Sequence, residues 1–164
     1  MKIRSWFLQL CLLAASCLVI LLAGLLFWRI PIHAVPAGMP ALQAYALTIG
    51  LYVSAISFIV LAVFAWQLLH LISQQLVFTA KTVQLFVALK WSCVGIQLGA
   101  LTMLPGIYLV ADRTDAPGVM AMGLIFYAVW LFMTVFFAIL QRLWATAVAF
   151  KHVSCLLYTS PSPR

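Results

Sequence analysis

The stretch ALTIGLYVSAISFIVLAVFAW, residues Ala46–Trp66, decides the fold of this chain. It carries no charged residue and matches the roughly 20 residues with which a helix crosses a hydrocarbon core of about 30 Å. Inside lipid only helices and closed barrels satisfy their backbone groups, so a run of this length and character reads as a membrane-spanning helix. Three similar runs accompany it, at approximately 8–28, 91–110 and 119–140. With 67% hydrophobic and 7% charged residues and no Glu anywhere, the expected fold is all-α, an integral membrane four-helix bundle formed by a single domain over residues 1–154.

The first run follows Lys2 and Arg4 and ends at Trp28 and Arg29. A cleavable signal has an apolar core of only about 7 to 15 residues, so a retained anchor is expected. Leu13 to Cys17 loosely resembles a lipoprotein cleavage box, but a dozen more apolar residues follow the Cys, and a buried or lipid-facing thiol is the simpler reading. Between Arg29 and Ala44, Pro31, Pro36, Gly38 and Pro40 predict a loop. The second helix is expected to continue through Gln67–Phe78, and the third to begin in the half-polar approach Thr79–Lys90. Together they form a hairpin projecting past the lipid. The fourth continues as an amphipathic extension over Gln141–His152.

Basic residues near span ends are retained on the cytoplasmic side. In an even-span topology Lys2, Arg4, Lys81, Lys90, Arg142 and Lys151 share one side, while Arg29, Arg113, Asp112 and Asp115 share the other. Both termini are therefore expected to be cytoplasmic. The net charge of +7 follows from this bias and from attraction to anionic headgroups, and does not point to nucleic acid. The last ten residues, CLLYTSPSPR from Cys155 to Arg164, translate TGT CTC TTA TAC ACA TCT CCG AGC CCA CGA, which resembles a transposase adapter used in sequencing-library preparation. They are set aside from fold reasoning as a processing scar. Cys11, Cys17 and Cys93 then remain, all within apolar runs.

Few residues offer chemistry. Lys90 stands at the edge of the third run, where an ionisable group is a functional candidate, but its neighbour Trp91 is an interfacial type and its stem can snorkel to water. Trp66, His70 and Gln74 recur at i, i+4 and i+8 on one stripe of the second helix, a surface for a ligand or partner, or else interfacial anchors. His33, Asp112 and Asp115 share the outer side, where a cation site would require two loops to meet. The better-motivated role for Asp115 is at the capped start of the fourth helix, before Pro117. Gly95 and Gly99, with Gly50 and Ser54, are small-xxx-small pairs suited to helix packing within the bundle or to homodimerisation. Gln97 lies between the two glycines as an interhelical hydrogen bonder. Met122, Phe126, Phe132, Met133, Phe136 and Phe137 surround the fourth span and read as core and lipid contact.

No nucleophile with its base, paired carboxylates or metal cluster can be assembled, so an enzyme is not expected and no cofactor is implied. Compact four-span drug exporters resemble the chain in size, but that family needs a membrane-embedded carboxylate in its first helix, and the first run has none. Neither a ring-forming charge nor a filter-like Gly-rich loop suggests a channel.

FAWQLLHLISQQ (Phe64–Gln75), VFTAKT (Val77–Thr82), ALKW (Ala88–Trp91), DAPGV (Asp115–Val119) and LQRL (Leu140–Leu143) resemble the YoaS-like bacterial membrane proteins, the family of domain of unknown function 2975. The resemblance runs to about Val153 and implies a multi-pass protein of the bacterial cytoplasmic membrane. It also implies a short polar, acid-containing tail where CLLYTSPSPR now stands. Members are often encoded beside small helix-turn-helix regulators, which implies by association a regulatory or sensor role with a protein partner. It supplies no catalytic residues. A non-enzymatic interaction protein with lipid bilayer contacts, a regulatory partner and a possible homodimer is the expectation; the alternative is a small transporter or channel subunit.

Overall fold

A computed structural model describes the backbone at residues 2–36, 38–73 and 80–158, and side chains at 6–33, 35–36, 38–72 and 81–150. The described chain is helical: α1 (Lys2–Leu22), a π turn (Ala23–Phe27), α2 (Arg29–Ala34), α3 (Ala41–Ser73), α4 (Ala80–Arg113) and α5 (Pro117–Tyr158). Four stretches are long and apolar enough to cross a bilayer: Trp6–His33, Ala41–Ile72, Lys81–Arg113 and Pro117–Phe150. All four extend beyond the apolar runs read from sequence, because the helices carry on into the flanking half-polar segments, α3 as far as Ser73 and α4 from Ala80; the expected continuation over residues 74–79 lies outside the described residues. At 1.5 Å per residue α3 is about 50 Å long, against a core of about 30 Å.

The helices pack in chain order, α1 on α3, α3 on α4 and α4 on α5. The most apolar windows of the second and third spans are 28% and 33% buried, while those of the first and fourth contain no buried residue. The protein core is therefore the α3–α4 pair, and α1 and α5 turn large side chains such as Leu18, Met122 and Phe132 outward. Lipid tails are as apolar as these residues, so no hydrophobic force drives them inward.

Small residues set how closely α3 and α4 approach. A Cβ placed on Gly50 would lie 2.6 Å from the Gly99 carbonyl oxygen and 2.5 Å from Thr102 Oγ1. One on Gly99 would lie 2.6 Å from the Gly50 oxygen, and one on Gly95 would lie 2.5 Å from Ser57 Oγ. The two backbones thus cross at Gly50 and Gly99, closer than any side chain permits. Hydroxyls along the seam bond to their own helix, Thr48 to Ala44 O at 2.8 Å, Ser54 to Gly50 O at 2.8 Å and Thr102 to Gly99 O at 2.7 Å. Ser54 also reaches Ile96 O of α4 at 3.5 Å.

Two local readings are corrected. The predicted loop over Arg29–Ala44 is helical at both ends: α2 covers Arg29–Ala34 and α3 begins at Ala41. Pro31 is tolerated because it falls in the first turn of α2, where a helix has no carbonyl for that N–H to bond. Pro40 precedes α3 and accepts from the Gln43 and Ala44 N–H groups at 3.0 and 3.2 Å. Asp115, expected to cap the start of the last helix, instead ends α4. Its φ of 47° is left-handed, and the Ala116 N–H bonds back to Ala111 O at 3.1 Å, the long return bond of a Schellman-type stop. Asp tolerates this conformation better than most residues.

Candidate functional site

The hairpin end of the molecule gathers the candidate residues, but on two different seams. On the α4–α5 side, half-buried Lys90 donates from Nζ to Gln141 Oε1 at 3.0 Å. The same ammonium stands 6.0 Å from the centre of the Trp91 ring, the outer limit for a cation–π attraction. The 23 residues from Lys90 to Arg113 rise about 35 Å, so when Arg113 sits at one interface, Lys90 sits at the other. The lysine is held by a neighbouring helix rather than extended alone into water. One turn further out, Phe86 stacks on Trp144 at 6.1 Å and 15°, joining α4 to α5 a second time.

On the α1–α3 side, Trp66 is 39% exposed and forms the polar rim, with Gln67, of a groove of about 390 Å³. His70 is exposed one turn beyond it, and Gln74 lies outside the described residues. Trp66 and Lys90 therefore belong to separate helix–helix seams and do not form one pocket. Gln141 is the residue that sequence reasoning missed. Its presence in the LQRL segment was visible, but the register that sets it opposite Lys90 is a property of α4–α5 packing.

Mid-span, Gln97 Nε2 is buried with no hydrogen-bond partner among the described residues. Gly95 and Gly99 face α3, against Ser57 and Ser54 respectively. At the opposite end, Arg113 Nη2 donates to Gly38 O at 2.6 Å, tying the α2–α3 connection to the end of α4. Asp112 and Asp115 line a shallow hollow with Tyr108 and Met120; His33 is not part of its lining, and no group of three His, Cys, Asp or Glu suited to a metal occurs among the described residues.

The profile of the family described as "Protein of unknown function (DUF2975)" matches residues 32–152. The chain belongs to this family. It is also 33% identical over 107 residues to a protein of Bacillus subtilis (strain 168) named "Uncharacterized membrane protein YoaS", an alignment covering 65% of this chain and 67% of that relative. No solved structure matches. The match takes in α3, α4, most of α5 and the Lys90–Gln141 contact, and it agrees with four apolar helices in making this a multi-pass membrane protein.

Proposed function

We propose that this protein is a non-enzymatic regulatory or sensor component of the bacterial cytoplasmic membrane, with both termini in the cytoplasm and the α3–α4 hairpin end as its partner-facing surface. The observation that carries the reading is the length of α3 and α4 beyond what a bilayer requires. About 20 Å of each helix is left over; at the hairpin end Trp66 and Lys90 mark the membrane surface, and His70 and Lys81 lie beyond it. The core favours a scaffold over a conduit, since Gly50 and Gly99 bring the two central backbones into direct contact and leave no path between them.

The partner class is a small cytoplasmic DNA-binding regulator, by the gene neighbourhood that the family resemblance implies. A bacterial two-hybrid assay pairs the full chain with that regulator. Trp66→Ala, His70→Ala and Gln74→Ala together are expected to abolish the signal while leaving membrane insertion intact; an unchanged signal sinks the reading. The transporter reading rests on the unpartnered amide of Gln97. Substrate flux in liposomes that Gln97→Leu abolishes would favour it.

A further inference from the structure

We propose that the groove between α1 and α3 is a binding site for one anionic phospholipid, with an acyl chain between the helices and the headgroup at the Trp66 end. The helices are antiparallel, and one end of the pair is pinned. There Tyr52 Oη donates to Ala23 O of the π turn at 3.3 Å, and the Tyr52 and Phe27 rings meet edge to face at 5.6 Å. Away from this pin the groove between α1 and α3 is lined by Leu12, Ser16 and Ile20 on one side and Ile59 and Val63 on the other.

The length of the groove fits a hydrocarbon chain. From Ile20 to Leu12 the groove runs about 12 Å along α1, close to the roughly 15 Å depth of one leaflet's hydrocarbon.

Polarity gives the orientation and the headgroup class. The lining is apolar except for Ser16 midway and Trp66 and Gln67 at the end away from the pin. The indole N–H and the side-chain amide are donors, suited to phosphate oxygens at the interface. Beyond that end α1 begins with Lys2 and Arg4, and Lys81 stands in the first turn of α4. The two acidic side chains, Asp112 and Asp115, are at the opposite end of α4, away from these basic positions. Each basic residue near a surface favours an anionic lipid by about five-fold.

The test is native mass spectrometry of the full chain released from detergent, equilibrated with equal phosphatidylglycerol and phosphatidylethanolamine of matched chains. One phosphatidylglycerol retained per protomer is expected, about five-fold or more over phosphatidylethanolamine. Val63→Trp fills the groove and should abolish retention; Val63 is 50% exposed, so the larger ring meets open space. Lys2→Gln with Arg4→Gln should keep a bound lipid but lower the preference by about five-fold or more. Equal retention of both lipids by the wild type, or undiminished retention by Val63→Trp, overturns the proposal. So does a Val63→Trp protein that loses a dimer rather than a lipid. A phosphatidylglycerol bearing a photoreactive acyl chain gives a second reading: labelling should fall between Leu12 and Ile20 or between Ile59 and Gln67, and labelling confined to α5 refutes the site.

Discussion

Replacing Gly99 by Ala tests the central crossing most sharply, because the added methyl has nowhere to go. It would lie 2.6 Å from Gly50 O and 2.9 Å from the Ser54 backbone N, and neither backbone atom can move without displacing α3. Overpacking of this kind costs about 1–3 kcal/mol. Gly to Ala in a helix also brings an intrinsic gain of up to about 1 kcal/mol, so a single variant would blur the two effects. Gly24 separates them, since a Cβ there meets nothing within 4 Å. The difference in stability between Gly99→Ala and Gly24→Ala should therefore be about 1–3 kcal/mol in the destabilising direction, read by reversible SDS unfolding in mixed micelles followed by tryptophan fluorescence. Gly50→Ala should behave like Gly99→Ala. Gly106→Ala should be milder, because it meets the movable Leu47 Cδ1 at 2.8 Å. If Gly99→Ala matched Gly24→Ala in stability but altered the oligomeric state, the glycines would be serving a contact between copies, and the crossing described above would be wrong.

Lys90→Met and Gln141→Leu, measured singly and together by the same unfolding assay, should show a coupling of about 0.6–1.7 kcal/mol, the range found for interhelical hydrogen bonds in membranes; purely additive effects would remove the contact. Arg113→Ala removes the donor to Gly38 O and should raise proteolysis at the α2–α3 connection while leaving the α3–α4 crossing intact, so cleavage at the wild-type rate counts against the tie. Reporter fusions test the orientation: alkaline phosphatase should be active when fused after Gly38 or Thr114, and a fluorescent protein should be bright when fused after residue 153. The reverse pattern inverts the topology.

The crossings were legible because the information is compositional. A run such as Ala46–Trp66 needs no partner to be recognised as a span, and the amphipathic continuations at Gln67 and Gln141 keep a helical period that carries the chain past the lipid. The connections were harder. Pro31 was read as a helix breaker, yet its effect depends on whether it lies in a first turn or an interior, and that depends on where α2 begins. Asp115 is equally ambiguous: the same residue before a proline can cap the next helix or close the previous one, and the left-handed backbone that decides between them comes from how α4 meets α5. The site suffered the same limitation. Lys90, Trp66 and His70 were recognisable by type and depth, but the assignment of Lys90 to α5 and of Trp66 to α1 is tertiary.

That division bears on function. Were Trp66, His70 and Lys90 the wall of a single cavity, a substrate path would be the natural reading, with Gln97 as a polar step deeper in. They instead flank the α3–α4 pair on opposite sides, one turned to a lipid-exposed groove and the other locked into a helix contact. A path from the hairpin end to Gln97 would have to open the α4–α5 seam, against the Lys90–Gln141 bond and the Phe86–Trp144 stack. A signal relayed through the same seam needs only the Lys90–Gln141 bond to exchange, not a continuous path through the seam. A shift of α5 relative to α4 would exchange the Gln141 contact for water and free the Lys90 ammonium at the membrane surface, a change that a cytoplasmic partner could sense as charge. Lys90→Arg keeps that charge with a different reach, and Lys90→Met abolishes it. If recruitment of the proposed regulator survives the first and fails with the second, while both proteins insert normally, the charge is the signal; if it survives both, the seam is structural only.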